Sequence, residues 1–596
     1  MFLRISPLLL GTLPSPLFIV HLVRDLKMST LLPIALDRNA PQQLSSSSYG
    51  SRDRDSVTIV DRTSRDLRRH LPEEDDDDVN SAVHAEAYGA QPGEKGWDAF
   101  EVIFAPDDPE SPFNWSRPKR WYMTIMSGIL VLNATFASSA PSGFLRDLEQ
   151  YFTFSSEIGS LLIALFVGGY CVGPLLWAPL SEQYGRRPIF LITFIIYTGF
   201  QVGCALSRNT ASILVFRFLG GVFASAPLTN SGGVMSDMWD SNTRGKALAL
   251  FTIAPFAGPT LAPLCSGFMA ASGVSWRWIF WLLTLFAGAC LFLILFTMPE
   301  TYTPILLVHK ARRLRKETGD DRYWAPLEKQ NVGIFYRLST ILGRPFKILA
   351  MEPMLIAITL YMSFVYGCIY ILFESYPIVF SEGHHMNAGI TGLMFLPIFV
   401  GAVIGVIIYM IVWNPRYAAA GVKFAPAPVP PEYRLEQCLW AAPIFAASFF
   451  WFGWTSYSSV SYWAPMMSGL PMGIAITWIF LSLINYIVDA YLFVAASALA
   501  SMTVVRSLFG AGFPLFASQM YNTLNPRWAS TLLGLLAILM GPIPFILRRY
   551  GHVLRKKSKY APSKPVPNTD TEAQAEAKPT IIEPKKTEAD DVSVSA

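Results

Sequence analysis

Charge is what this sequence is short of. Asp, Glu, Lys and Arg make up 15% of its 596 residues, against roughly 25% in a soluble globular chain. A soluble fold is thereby excluded for most of its length. The six cysteines (Cys171, Cys204, Cys265, Cys290, Cys368 and Cys438) form no CxxC pair. Each lies in or beside an apolar stretch and reads as a small buried hydrophobe. There is no GxxxxGK[ST] loop, which argues against an ATP-driven pump. There is no GxSxG elbow or HExxH helix, and no cluster of histidines or acids at one membrane interface, so an enzyme is not expected. A formal net charge of +4 points to no nucleic-acid partner. No cofactor and no metal site is expected either; the paired His384 and His385 could bind a metal but read first as a solvated outer loop.

What is abundant is apolar length. Hydrophobic residues reach 52% and the mean hydropathy is +0.36. Twelve windows are long enough to cross a hydrocarbon core of about 30 Å as helices. They are 121–140, 158–180, 188–206, 211–235, 247–271 and 278–298, then 354–379, 389–413, 437–454, 470–488, 491–516 and 528–547. The expected fold is therefore all-α and integral to the membrane, with twelve transmembrane helices in two pseudo-symmetric six-helix bundles. Residues 119–298 form the first bundle and 351–549 the second, with a basic polar loop, 299–350, between them. Residues 1–118 and 550–596 read as largely disordered tails, since their composition cannot bury enough apolar area to fold alone. Within the first tail, the proline-broken apolar run of residues 1–27 is open to three readings: a signal, an extra apolar segment, or a gene-model extension upstream of Met28.

Lys and Arg in short loops report orientation. Arg186, Arg187, Arg244, Lys246, Arg416, Lys423 and Arg434 fall on one side, with the basic central loop. Only Arg146, Arg208, Arg277 and Arg527 fall on the other. Both termini are accordingly expected in the cytoplasm, which puts the Asn114 sequon out of reach of glycosylation.

Three charges lie inside apolar windows: Arg217 in the fourth, Glu374 in the outer third of the seventh, and Arg506 near the middle of the eleventh. Such charges are costly and mark functional sites. Arginine does not release its proton at working pH, whereas Glu374 can titrate. All three are candidates for proton coupling. Glu374 could instead meet a cationic substrate or sit hydrated at the outer mouth. Asp237 and Asp489 end the fourth and tenth windows at matching places in the two halves. Tyr361, Tyr366, Tyr370 and Asn485 are candidates to line a cavity for flat or cationic ligands, with ordinary packing as the alternative.

Between the second and third windows sits the short charged hinge "APLSEQYGRRP". It resembles the loop signature of the major facilitator superfamily. Glu182, Gly185, Arg186 and Arg187 take the acidic, glycine and two basic places; Ala178 and Gln183 depart from the usual glycine and arginine. "RFLGGVFASAPLTNSGGVMSD" (217–237) and "APFAGPTLAPLCSGF" (254–268) are similar to the fourth and fifth spans of the family's drug:proton antiporters, with Pro255, Gly258, Pro259 and Gly267 fitting the antiporter signature. "PETYTPILL", "PPEYRL", "NYIVDAY" and "RSLFGAGFPLF" resemble fungal twelve-helix exporters of drugs, toxins and polyamines.

The resemblance implies proton-coupled efflux of a small organic molecule by alternating access, by a monomer whose partners are substrate, protons and the lipid bilayer. It also implies that Glu182 latches the opposite half in the outward-facing state, and the helix N-terminus at the start of the eleventh span, near Tyr491, would attract such a carboxylate. A polyamine:proton antiporter is the alternative within transport. A transporter-like nutrient or ligand sensor without net flux is the alternative outside it. The plasma membrane is the expected location, with the vacuolar membrane as the alternative.

Overall fold

The computed structural model describes residues 100–561, apart from 106, 240, 330–333, 425–428 and 492–493; for 241–244 and 334–342 it describes the backbone alone. The apolar run of 1–27 and the acidic run at 73–78 lie outside the described residues, as does the tail from 562. All described residues belong to one compact unit, Pro72–Ala596. Among them there is no strand beyond a single parallel bridge, Glu101 to Trp324.

Among the described residues, eleven helical stretches are long and apolar enough to cross a membrane. The last, Ala495–Lys557, runs to 63 residues, or about 95 Å at 1.5 Å per residue, three times the core thickness. Asn525, before Pro526, breaks it with φ 61° and ψ 155°, so it makes two crossings, and the total is twelve. The spanning helices are α1 Arg117–Ser139, α2 Ser156–Tyr184, α3 Arg186–Leu206, α4 Thr210–Met238, α5 Ile253–Ala271 and α6 Arg277–Thr297. The second half has α7 Pro353–Tyr376, α8 Leu396–Ile408, which continues through the helical turn Tyr409–Trp413, α9 Glu436–Thr455, α10 Gly469–Ala490, α11 495–524 and α12 526–540, which runs on into Pro542–Lys557.

Local chemistry sets the ends. Asn209 caps α4, its side chain accepting from Ser212 N at 2.8 Å. Proline opens α7 at its first turn, where a missing N–H costs nothing. Pro255 cannot donate to the Phe251 carbonyl four residues back, and the fifth window breaks there, into Ser241–Phe251 and α5. Pro259 and Pro263 lie inside α5 itself.

The central connection is more ordered than its polarity suggests. It carries helices Thr303–Thr318, Pro326–Lys329 and Ile334–Met351. The stretch just before α1 docks on it. Val102 N donates to Trp324 O at 2.9 Å and Trp324 N to Phe100 O at 3.0 Å, while Val102 packs with Leu307, Val308, Ala311 and Ala325. Lys310 pairs with Asp108, and Arg313 with Glu110.

Within the first half, α2 packs on α4, α1 on α5, and α3 on α4 and α6; within the second, α7 packs on α11, α8 on α10, and α9 on α10 and α11–α12. The two halves meet along α2 against α11 and α5 against α8 with its preceding turn, Ala388–Leu393. These four helices form the seam. Five of the six cysteines are buried as expected, but Cys265 on α5 is exposed.

Candidate functional site

The hinge joins α2 to α3 with one residue between them. Gly185 has φ 98° and ψ 162°, a conformation open essentially to glycine. A Cβ there would also lie 2.4 Å from the Glu300 carboxylate. Glu300 was not singled out from sequence, yet it organises the hinge. Its Oε1 accepts from the backbone N–H of Arg186, Thr301 and Tyr302 at 2.9 Å each, and its Oε2 from Arg187 N at 3.1 Å. A carboxylate at the first turn of α3 satisfies orphan amides and meets the positive end of the helix dipole.

Arg186 turns inward. Its Nε reaches Asp237 Oδ2 at 3.3 Å, its Nη1 donates to Ser181 Oγ at 2.7 Å, and it lies over the Tyr302 ring. Thr301 also donates to Asp237. Arg187 instead stays exposed and donates to the Leu295 carbonyl. The second half repeats the device: Arg434 Nε meets Asp489 Oδ2 at 2.7 Å, Tyr417 donates to the same oxygen, and the guanidinium lies over the Tyr417 ring. The matched places of Asp237 and Asp489 thus hold matched arginine partners. Arg434, in "PPEYRL", was legible only as a loop charge. Glu182 is half-buried and has no hydrogen bond or ion pair among the described residues. Tyr491, near which Glu182 is expected to latch in the outward-facing state, donates to Glu352 at 3.1 Å in this structure, whose opposite end is closed.

At the end of the molecule opposite the hinge, the halves are closed on each other. Arg146 meets Glu382 at 3.1 Å, Gln519 donates to Glu157 at 3.4 Å, and Ser160 Oγ of α2 donates to Glu374 Oε1 of α7 at 2.8 Å. Glu374 is only 8% exposed. A Cβ on Gly267 of α5 would lie 2.2 Å from the Ala388 carbonyl, so only glycine allows this approach. Gly258, nine residues earlier in the signature, sits against Thr135 of α1, inside its own half.

Arg217 is fully buried. Its Nε donates to Leu162 O, and its Nη1 and Nη2 to Ala137 O and Ser138 O, at 2.8–2.9 Å. It lies over the Phe166 ring. Two of these carbonyls, Ala137 and Ser138, lie at the end of α1, where carbonyls carry partial negative charge, and no carboxylate is among the partners of this guanidinium. Its sequence-predicted partner in coupling, Glu374, is not in contact with it.

The four cavity candidates separate. Tyr366 and Tyr370 lie four residues apart on one face of α7, with hydroxyls 3.3 Å from each other, and Tyr370 continues to Ser138 Oγ of α1 at 3.1 Å. Tyr361 lies five residues before Tyr366, about 140° round the helix, and is buried with no partner for its hydroxyl. Asn485 donates to Leu481 O and lines a different, small pocket at the hinge end with Tyr409, Trp413, Tyr417 and Arg434. Tyr361 and Asn485 are therefore not grouped with the seam tyrosines.

Two bundles of six helices, a seam between them and a charged hinge in each half define a membrane carrier. The model of the Major Facilitator Superfamily matches residues 126–514, and the chain belongs to that superfamily. It is a multi-pass membrane transporter and not an enzyme. It is 38% identical over 465 residues to the major facilitator superfamily multidrug transporter mdrA of Aspergillus fumigatus, covering 78% of this chain and 76% of that one. It is 37% identical over 473 residues to the efflux pump FUBT of Fusarium oxysporum, covering 79% of each. Among solved structures, the xylose transporter XylE of E. coli shares the fold, with a TM-score of 0.52 and 17% identity over 73% of this chain and 98% of that one.

Proposed function

We propose that this transporter exports a small organic molecule in exchange for protons, with the hinge end and both termini in the cytoplasm of a plasma-membrane carrier. The observation that carries the reading is Glu374, a buried carboxyl whose hydrogen-bond partner, Ser160, belongs to the other half. Closing this end removes water from the carboxyl. A carboxyl without water is held more cheaply neutral than charged, so proton binding and closure favour one another. Ser160 serves either form, since its hydroxyl can donate to the carboxylate or accept from the acid.

The exchange follows from that linkage. A proton taken from outside neutralises Glu374 and lets the outer end shut. The halves then rock about the seam, the proton leaves to the cytoplasm, and substrate loads for the return. The orientation rests on the Lys and Arg bias, with Arg186, Arg187, Lys246, Arg416 and Arg434 at the hinge end. The names of the relatives, a multidrug transporter and an efflux pump, support export over uptake.

Glu374→Gln in proteoliposomes tests the coupling. The expected variant still exchanges labelled for unlabelled substrate but no longer concentrates it when a proton gradient is applied. A variant that concentrates substrate as the wild type does, with the same pH dependence, overturns the role given to Glu374.

A further inference from the structure

Two arginines lie within the bundle, and their surroundings differ. Arg217 is satisfied by three carbonyls of its own half. Arg506 is not. It sits eleven residues into α11, about 16 Å at 1.5 Å per residue, which is mid-depth in a core of about 30 Å. Its guanidinium lies over the Tyr366 ring of α7 at 4.8 Å and the Phe480 ring of α10 at 5.7 Å. Phe480 in turn meets Phe256 of α5 at 5.3 Å, so this group stands at the seam. The Arg506 Nε is buried without a hydrogen-bond partner, and among the described residues no carboxylate pairs with it. Glu374 lies eight residues beyond Tyr366 on α7, about 12 Å along the helix, and has its own partner in Ser160.

We infer that the seam is built to take its substrate as an organic anion, with the carboxylate of an aromatic or apolar acid on Arg506. Guanidinium presents a planar fork that matches a carboxylate. Tyr366, whose ring the guanidinium covers, has a hydroxyl to donate to such a guest, and that hydroxyl lies 3.3 Å from the Tyr370 hydroxyl. Tyr366, Phe480 and Phe256 supply flat apolar faces for its body. A cationic amine would meet an uncompensated positive charge there, which disfavours the polyamine alternative. This inference rests on the proposed export for its physiological direction but not for the binding itself.

The test is binding to the purified full-length protein in nanodiscs, with labelled benzoate, benzamide and benzylamine as matched anionic, neutral and cationic probes. The wild type is expected to bind benzoate at least tenfold more tightly than either other probe. Arg506→Gln should abolish that preference, and Arg506→Lys should restore part of it, while benzamide binding stays the same in all three. Equal binding of the probes, a preference for benzylamine, no benzoate binding, or a benzoate preference that survives Arg506→Gln would each overturn the inference. Should Arg506→Gln fail to give monodisperse protein, the wild-type ranking of the probes still decides. Gradient-driven flux separates the two proposals. Benzoate binding without flux refutes export and keeps the anion site; driven flux of benzylamine and not benzoate keeps export and refutes the anion site.

Discussion

Replacing Glu300 should damage the hinge in proportion to the backbone amides it strands. Its carboxylate accepts from four N–H groups, three on Oε1 and one on Oε2. A hydrogen bond to a charged group contributes about 1.5–3 kcal/mol when water cannot replace it. Glu300 is half-buried, so water recovers part of that, and Glu300→Ala should cost about 3 kcal/mol. Glu300→Gln can keep its oxygen at the Oε1 position with three bonds. It loses one bond and the favourable charge at the start of α3, a cost of about 1 kcal/mol. For a folded body of this size, unfolding entropy makes 1 kcal/mol worth about 1 °C in melting temperature. Tryptophan-fluorescence melts in one detergent should therefore rank wild type, Gln and Ala in that order, with Ala about 3 °C below wild type. An alanine variant that melts with the wild type, or a glutamine variant worse than alanine, would refute the capping role.

The two arginine–aspartate pairs should respond unequally. Asp237→Asn leaves a guanidinium whose side chain is 5% exposed and should destabilise by about 3 kcal/mol; Asp489→Asn leaves one that is 19% exposed and should cost about 1 kcal/mol, which the same melts can compare. Gly267→Ala places a Cβ against the Ala388 carbonyl, so that end should fail to shut; transport should fall at least tenfold in surface-expressed protein, and a cysteine at Glu382 should label faster. The segment before α1 should be pH-sensitive. Burial alone would raise the Asp108 carboxyl, but hydrogen bonding and charge from Lys310 outweigh it and hold it below its usual range. A depressed carboxyl stabilises above its unfolded value of about 3.9 and loses that contribution as pH falls through the folded value. The protection factor of the Val102 N–H, its exchange relative to the intrinsic rate at each pH, should accordingly be high at neutral pH and fall only below about pH 4, and Asp108→Asn should lower it already at neutral pH.

The twelve spans and the hinge were legible because their signals are local. A run of twenty apolar residues declares itself, and so does a glycine beside two arginines. The matched acids were legible too, because Asp237 and Asp489 each end a span. Their partners were not equally so. Arg186 lies 51 residues from Asp237, Glu300 lies 114 from Arg186, and Arg434 lies 55 from Asp489; nothing in a window of sequence ties such positions together. The grouping of Tyr361 with Tyr366 failed for a different reason. Both lie in the same apolar window, but five residues turn a helix by about 140°, and where every face is apolar the pattern does not say which face meets the seam. Arg217 and Arg506 looked alike as arginines inside apolar windows, and only packing separates the one held by carbonyls from the one left over aromatic rings.

The central claim is exchange of protons for substrate, and flux in inside-out vesicles tests it most directly. With the lumen acidified, labelled aromatic acids, hydrophobic drugs, fungal metabolites and polyamines would be offered outside. Uptake of at least one class that collapses when a protonophore is added is the predicted result. Uptake indifferent to the gradient, or none from any class by folded protein of verified orientation, would contradict the account.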